Sequence, residues 1–323
     1  MSKKKIYIWC CDKNKNTGEG VLANKFINDV RFYNRGVKLV IKSPNIKKST
    51  SIIKRFIHPF EGLIYLWCVF IFKKNKDICY LNYLPLWNFF LILLLPPKTI
   101  LGPITGGSLY SKKPLFNFFL RKYIIKFFII ISKIFIKLRT KKLLFSTDLL
   151  RKQMGNNKNY FFNYVLKDFK IIRNKEKKIY DLIFYLRDHK NKDTNLQIKI
   201  AKQLAKDYKI VTVGKKIDNK EIKNLGIISR VKLIKILKKT KYTFISPENL
   251  YSFFAIDSVS SGTNVFFKKN YNYLGKSFKG IDYLNYENFY DLKESLQKIL
   301  KKKFKHKVKY SVKKIKYYNY FKL

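Results

Sequence analysis

The 323-residue sequence predicts an α/β protein built from two doubly wound halves. The chain opens with a strand pattern at 5–11, a glycine turn at 18–20, an amphipathic helix pattern and a second strand pattern at 36–43. Residues 180–267 then alternate strand and helix patterns with short connections, which is typical of a parallel sheet. A charge-rich segment, KIIRNKEKK, lies between the first half and the second and is interpreted as a linker. The length also favours two domains over one small core.

Further strands are predicted in the first half, and apolar segments lie between them. The strand patterns are 77–85, 98–107 and 142–147, and the apolar segments are 62–72 and 86–95. Residues 115–138 form a long helix pattern in which Lys122, Lys126, Lys133 and Lys137 fall within an arc of roughly 60° at helical pitch. The lysines and the short uninterrupted apolar runs argue against a membrane span. Two interpretations stay open: a domain helix with one wet edge, or a helix in a membrane interface with its lysines toward headgroups.

The second half has a more regular alternation. Its strand patterns are 180–186, 209–215, 242–247 and 264–267, and its helix patterns are 194–208, 229–241 and 250–261, the last ended by Gly262. The predicted organisation is therefore a first domain over 1–165, a linker over 166–178, a second domain over 179–305 and a basic aromatic tail or helix over 306–323.

The charge balance constrains the partners. Seventy basic residues oppose 20 acidic ones, which gives a formal net charge of +50. Such an excess favours nucleic acid, anionic lipid or phosphorylated substrates, although heavy use of Lys, Asn, Ile, Phe and Tyr is also typical of an A/T-rich coding sequence. The four cysteines lack metal-site spacing and are interpreted as buried thiols in a reducing compartment. The short apolar run after the N-terminal lysines fits a first strand better than a signal peptide.

Candidate binding residues follow the predicted strands of the second half. Arg187 and Lys192 lie in a basic loop that leads into a helix, where backbone N–H groups and the helix dipole favour phosphate. A solvated basic loop is the alternative. Gly214 ends the next strand, and the backbone N–H groups of Ser252 and Phe253 could face an anion.

The stretch ISPENLYSFFAIDSVSSGTNVFF, residues 245–267, has no basic residue and carries Asp257 within a helix pattern. A carboxylate next to a diphosphate would repel it, whereas next to a ribose it accepts two hydroxyl hydrogen bonds. The absence of basic residues nearby in the sequence predicts that this acceptor is free. A basic loop, a glycine at a strand end and a helix with a buried acid together indicate a nucleoside diphosphate at the sheet edge.

This succession resembles the carboxy-terminal domain of family 4-like GT-B glycosyltransferases. The matching motifs are Arg187-x4-Lys192, Val211/Val213-Gly214, Gly226-Ile227 and Asp257-Ser-Val-Ser-Ser-Gly262-Thr-Asn-Val265, and the amino-terminal GEG and GPITGG loops (18–20 and 102–107) also resemble that family. The resemblance implies a GT-B fold, in which two Rossmann-like doubly wound domains face a central cleft. The first glutamate of the family's E-x7-E motif falls on Asn249, with Glu248 one place away, and the second is the shorter Asp257.

The resemblance also implies roles. Arg187 and Lys192 would hold the donor diphosphate, the Ile227 backbone would meet the base and Asp257 the ribose, while Gly18 and Gly20 would let the first loop approach the phosphates. An inverting enzyme needs a base on the acceptor side, for which Glu19 is preferred over Asp12. A retaining enzyme needs none, and Arg187 and Lys192 would then carry most of the leaving-group stabilisation.

The expected function is transfer of a sugar from a nucleotide-diphosphate sugar to a glycan acceptor, of lipid-linked or lipopolysaccharide type. We expect no metal or other cofactor. An acid-free stretch between Asp77 and Asp148 predicts a peripheral enzyme on the cytoplasmic, anionic face of the cell membrane. The alternatives are a non-catalytic scaffold with the same fold, motivated by Asn249, and a basic nucleic-acid-binding protein, for which no RNA-binding motif is present.

Overall fold

The computed structural model divides the chain into two units by its packing. It describes residues 4–15, 17–44, 52–73, 77–82, 84–106, 123–170, 176–187, 194–245, 250–268, 278–310 and 316–322. The first unit holds the described residues of 1–109, 113–167 and 314–323, and the second holds those of 168–313.

The first unit contains a four-stranded parallel sheet. Its strands are β1 (Lys5–Cys10), β2 (Lys38–Lys42), β3 (Ile78–Leu81) and β4 (Ile100–Leu101), in the order β2-β1-β3-β4. A separate parallel pair is formed by β5 (Leu143–Leu144) and β6 (Tyr160–Phe161). The helices are α1 (Gly18–Tyr33), α2 (Ile52–Phe72), α3 (Phe89–Leu94), α4 (Ile125–Arg139) and α5 (Arg151–Met154).

The sheet is covered on both faces because β1 is apolar on both sides. Tyr7 and Trp9 join the core beneath α2, α3 and α4, whereas Ile6 and Ile8 join the core beneath α1. Successive side chains of a strand point to opposite faces, so a strand buried on both sides reads as a continuous apolar run. This explains why IYIWCC is uninterrupted.

The end of the chain returns to the first unit as α10 (Tyr318–Phe321). Phe321 stacks on Tyr33 of α1, with ring centroids 5.7 Å apart, and its ring is 5.2 Å from that of Phe26. The side-chain amide of Asn34 donates to the Phe321 carbonyl at 2.8 Å. The segment 306–323, expected as a tail of its own, is thus divided between the units, because its last aromatic residues complete the core against α1.

The second unit contains a six-stranded parallel sheet. Its strands are β7 (Tyr180–Leu186), β8 (Ile210–Gly214), β9 (Lys223–Asn224), β10 (Thr240–Phe244), β11 (Asn264–Lys268) and β13 (Asp282–Leu284), in the order β13-β11-β10-β7-β8-β9. The helices are α6 (Thr194–Leu204), α7 (Arg230–Lys238), α8 (Phe253–Ser260) and α9 (Phe289–Leu300), and β12 (Phe278–Lys279) pairs antiparallel with β14 (Lys309–Tyr310). The predicted succession of strands and helices over 180–267 is confirmed.

Several boundaries differ from the sequence expectations. The strand expected at 98–107 is only two residues long, and the one expected at 242–247 begins at Thr240. Helix α9 was not predicted from the sequence, although Asn288 and Asp291 form a capping box at its start and the apolar Leu292 and Leu296 lie on its buried side.

The long helix expected at 115–138 is described as α4, and its first residues up to 122 lie outside the described residues. Of the four lysines, Lys126 and Lys137 are exposed, Lys122 lies outside the described residues, and Lys133 is half-buried with its ammonium donating to the Gln153 carbonyl at 2.5 Å. Cys68 is exposed, so the expectation of four buried thiols is wrong at this position, whereas Cys10, Cys11 and Cys79 are buried. Within the described residues, no helix combines the length and the apolarity that crossing a bilayer requires.

Candidate functional site

The second sheet has a switch point between β7 and β10. The connection from β7 leads to β8 on one side, and the connection from β10 leads through α8 to β11 on the other. Because the two connections diverge, they leave a crevice outside the carboxyl ends of β7 and β10, where open α/β sheets bind ligands. Arg187 directly follows β7, and α8 follows β10 after the intervening loop.

Aromatic side chains connect the two sides of this crevice. The ring of Tyr185, near the end of β7, stacks on Phe254 of α8 with centroids 4.9 Å apart. The Arg187 guanidinium lies over the same tyrosine ring at 6.0 Å. The stack therefore links exposed Arg187 to the start of α8 through Tyr185 and Phe254, two residues that no sequence motif indicated.

The N-terminus of α8 is capped by its own sequence. Ser252 is the N-cap, and its hydroxyl oxygen accepts from the Ala255 amide at 3.2 Å. Ser252 and Phe253 are thus at the positive end of the helix dipole, as predicted, and the Ser252 side chain serves the cap.

Asp257 is buried within α8 and is ion-paired. Arg230, the first residue of α7, donates from Nε and Nη2 to the two Asp257 carboxylate oxygens at 2.8 and 2.7 Å. The pairing raises the pKa of Arg230, chiefly through the hydrogen bond to Asp257. The Asp257 side chain is 5% exposed and that of Arg230 is 51% exposed.

The expectation that Asp257 has no basic neighbour is therefore wrong. Arg230 is 27 residues away in the chain, and only the side-by-side packing of α7 and α8 brings the two together. The same guanidinium lies over the Phe253 ring at 5.5 Å. Arg230 is the main residue of this region that sequence reasoning missed.

Two glycines shape the ends of the neighbouring strands. Gly214 has φ +95°, and a Cβ there would lie 2.0 Å from the Leu186 carbonyl oxygen, so no other residue fits this close approach. The Gly214 amide donates to the Gly226 carbonyl at 2.8 Å, which ties the end of β8 to the following turn. Ile227 comes next and is 95% exposed, so packing within the described residues does not explain this apolar side chain.

Three predicted residues cannot be placed. Lys192, Glu248 and Asn249 lie outside the described residues. Their assigned roles stay predictions.

The first sheet has an equivalent switch point between β1 and β3, and the predicted loop lies there. Asp12 is buried, and its carboxylate accepts from the Asn14 amide at 2.7 Å and from the Thr17 hydroxyl at 2.6 Å. Thr17 in turn caps α1 by accepting from the Gly20 amide at 3.0 Å. Asp12 thus shapes the loop, and its two oxygens are already engaged.

The loop is also tied to the end of β3. Asn82 has φ +68°, and its side-chain amide donates to the backbone carbonyls of Asp12 at 2.8 Å and Glu19 at 3.0 Å. A Cβ at Gly20 would lie 2.1 Å from the Asn14 carbonyl oxygen, so this glycine is required by the fold of the loop itself. Gly18 begins α1 and is exposed, and Glu19 is partly exposed in the first turn of that helix.

The cysteines next to this loop are poor nucleophiles. Burial raises the pKa of Cys10 to about 12 and that of Cys11 to about 11. Both thiols stay protonated at neutral pH, and the nucleophile and metal ligand is the thiolate. In the part of the chain that the structure describes, no cluster of His, Cys, Asp and Glu could hold a metal ion.

Solved structures with a similar fold cover nearly the whole chain. A UDP-GlcNAc 2-epimerase from Methanocaldococcus jannaschii, in complex with UDP-GlcNAc and UDP, is 13% identical with a TM-score of 0.54 over 94% of this chain and 95% of its own. Sucrose-phosphate synthase from Thermosynechococcus elongatus is 10% identical with a TM-score of 0.58 over 92% and 90%. WaaG, a glycosyltransferase involved in lipopolysaccharide biosynthesis, is 9% identical with a TM-score of 0.52 over 92% and 90%.

The chain has the GT-B fold. The prediction of fold class is thereby confirmed, including the two Rossmann-like domains. No family model matches the sequence, and neither does any curated protein. Because the identities are this low, the likeness shows the GT-B fold alone, and assignment to family 4 stays a prediction.

Proposed function

We propose that this chain is a glycosyltransferase that uses a nucleotide-diphosphate sugar. The observation that supports the proposal is the arrangement at the second switch point, where Arg187 directly follows β7, α8 follows β10, and the Arg230–Asp257 pair joins the start of α7 to α8. A cationic side chain and a helix N-terminus suit a diphosphate. The exposed Ile227 beyond Gly214 suits the flat face of a base.

The proposed chemistry forms a bond between an acceptor oxygen and the anomeric carbon of the sugar, and breaks the bond from that carbon to the diphosphate oxygen. Arg187 and Lys192 stabilise the negative charge that develops on the leaving diphosphate. In an inverting reaction the acceptor proton passes to Glu19, since the Asp12 carboxylate is engaged within the loop. No metal is needed in this scheme, because the two cations serve the leaving group.

Asp257 has a revised role in this proposal. Its oxygens are held by Arg230, so a ribose hydroxyl would add to an existing ion pair and use the remaining lone pairs. The pair would fix the carboxylate at one position, and the half-exposed guanidinium would neutralise its charge near the phosphates.

The proposed acceptor is a lipid-linked or lipopolysaccharide-type glycan at the cytoplasmic face of the membrane. Support comes from the excess of positive charge and from the acid-free stretch between Asp77 and Asp148. WaaG, whose GT-B fold is similar, is a glycosyltransferase of lipopolysaccharide biosynthesis.

A nucleotide-binding assay tests the site. UDP or GDP should raise the melting temperature, and Arg187→Ala with Lys192→Ala should abolish the rise. Lys202→Ala with Lys206→Ala removes the same charge from exposed positions of the same unit and should leave the rise intact. Equal shifts in both double variants would refute the assignment of the diphosphate site.

A second candidate is a nucleotide-sugar epimerase, favoured by the likeness to UDP-GlcNAc 2-epimerase over nearly all of both chains. Incubation with a panel of UDP- and GDP-sugars separates the candidates. A transferase hydrolyses one donor slowly, and releases nucleotide faster when acceptor is added. An epimerase changes the sugar configuration without an acceptor. Nucleotide binding with neither reaction would indicate a scaffold, and salt-sensitive RNA binding without nucleotide binding would indicate a nucleic-acid-binding protein.

A further inference from the structure

The outer surface of α2, α3 and α4 in the first unit is apolar. All three helices bury their inner sides in one core, to which they contribute Leu66, Ile92 and Ile136, respectively. The sides turned away from this core would ordinarily be polar. They carry instead most of the exposed large apolar side chains of the described first unit.

Helix α4 shows the pattern most clearly. Apart from Ile124, its exposed apolar side chains recur at intervals of three and four residues and, at roughly 100° per residue, occupy an arc of about 80° opposite the buried side. These residues, with the turn before the helix, are Tyr123, Phe127, Ile130, Ile134 and Leu138. Their exposed fractions range from 52% to 77%, so the stripe is open to solvent and not a partly covered edge.

Helices α2 and α3 continue the same surface. On α2 the exposed apolar side chains and Cys68 fall within an arc of about 120° at helical pitch. They are Ile57, Phe60, Ile64, Cys68, Ile71 and Phe72. On α3 and the residues before it they are Trp87, Phe90, Leu93 and Leu94.

Direct contacts hold the three helices side by side, with α3 in the middle. The Trp67 indole of α2 donates to the Leu94 carbonyl of α3 at 2.7 Å. The rings of Phe89 in α3 and Phe128 in α4 are 5.0 Å apart. The apolar stripes therefore form one surface, which we name the three-helix face.

The charged residues of the three helices are almost all basic. The three helices contain a single acid, Glu61, and its carboxylate is 3.1 Å from the His58 imidazole. Lys126 and Lys137 are exposed and border the α4 stripe on one side. A surface that is apolar in the middle and cationic at its edge matches a bilayer with acidic headgroups, which offers apolar chains beneath a layer of negative charge.

We propose that the three-helix face docks this protein on a membrane rich in acidic phospholipid. The inference deepens the proposed function and rests on it for the reason to approach a membrane. The surface itself is defined by the exposed side chains. A second copy of this chain is a poorer occupant, because it would bring the same positive edge and a net charge of +50 against itself.

Docking of this kind uses shallow insertion, because none of the described helices is able to span. The apolar side chains of α4 and α2 leave water for the acyl boundary, and the lysine ammoniums meet the phosphates. Apolar insertion thus supplies much of the affinity, and the lysines set the preference for anionic lipid. This differs from attraction by a lysine stripe alone.

Vesicle flotation with the full chain tests the proposal. We expect binding to phosphatidylcholine vesicles with about one-third phosphatidylglycerol and weaker binding to phosphatidylcholine alone. Phe127→Ser with Ile130→Ser and Ile134→Ser should weaken binding at least about tenfold. Ile179→Ser with Tyr283→Ser and Tyr290→Ser changes exposed apolar residues of the second unit and should bind as the parent does.

Two further measurements keep the outcomes distinct. The UDP-induced melting shift should be the same in the α4 variant as in the parent, which shows that the variant folds and separates loss of docking from failure of the proposed function. An environment-sensitive fluorophore on exposed Cys68 should shift to the blue when acidic vesicles are added.

The inference is overturned if the parent does not float with acidic vesicles, or if the α4 variant binds them as tightly as the parent does. It is also overturned if the parent forms a dimer that the α4 substitutions abolish while vesicles have no effect on the fluorophore. That result would assign the three-helix face to a second copy of this chain.

Discussion

Removal of the Arg230 side chain should destabilise the second unit by about 2–3 kcal/mol. The guanidinium makes two hydrogen bonds, at 2.8 and 2.7 Å, to a carboxylate that is 5% exposed. Breaking a fully buried pair costs about 3–5 kcal/mol, and an exposed pair is worth about 0–1 kcal/mol. The cost of Arg230→Ala should fall between these limits, because the Arg230 side chain is 51% exposed whereas the Asp257 carboxylate that loses its partner is buried.

The two partners should respond unequally. Asp257→Asn leaves a guanidinium that water can reach, so we expect a loss of only about 1 kcal/mol. Arg230→Ala leaves a buried carboxylate without its partner, which is the costlier change. The double variant has no unpaired buried carboxylate. Its loss of unfolding free energy should therefore be smaller than the sum of the two single-variant losses by at least about 0.5 kcal/mol.

Urea unfolding followed by circular dichroism measures these free energies. In a thermal scan Arg230→Ala should lower the melting temperature of the second unit by roughly 5–10 °C. Lys235→Ala removes the same charge from an exposed position of α7 and should change the free energy of unfolding by less than about 0.5 kcal/mol. An Arg230→Ala variant as stable as the parent, or an Asp257→Asn variant that loses more unfolding free energy than Arg230→Ala does, would refute the unequal roles of the two partners.

Three other predictions follow from buried groups. Burial lowers the pKa of Lys178 to about 8, so between pH 8 and about 10.5 the unfolded chain binds more protons than the folded chain does. Across this window the free energy of unfolding of the parent, relative to that of Lys178→Met, should rise by about 1 kcal/mol after allowance for solvent screening. Urea unfolding measures this difference, and a difference that does not change with pH would contradict the prediction. Phe321→Ala should cost about 3–5 kcal/mol, because Phe321 is buried against α1, and Lys322→Ala, which changes an exposed neighbour, is the matched control in the same unfolding assay. At pH 8 in the native state, exposed Cys68 should react with a thiol reagent well before Cys10 and Cys11, which are buried and have pKa values of about 12 and 11. Rapid reaction of more than one thiol without denaturant would contradict this prediction.

The fold class was predictable from local sequence patterns. The continuous apolar runs of β1 and β7 can only be buried on both faces, which requires helices on both sides of a parallel sheet. The glycine at the end of β8 was also predictable from the sequence. Gly214 has a backbone conformation and a close contact with the Leu186 carbonyl that no other residue fits. The position of Arg187 at the carboxyl end of a strand was predictable as well, because the apolar run of β7 ends at Leu186.

The neighbours of these positions depend on contacts between residues that are distant in the chain. The pairing of Arg230 with Asp257 depends on the packing of α7 against α8, and no pattern within either helix indicates it. The return of Phe321 to the first unit depends on contacts across almost the whole chain. The same is true of the three-helix face. A helix that is apolar on several sides can bury any of them, and the neighbouring elements determine which side is covered and which stays exposed to water.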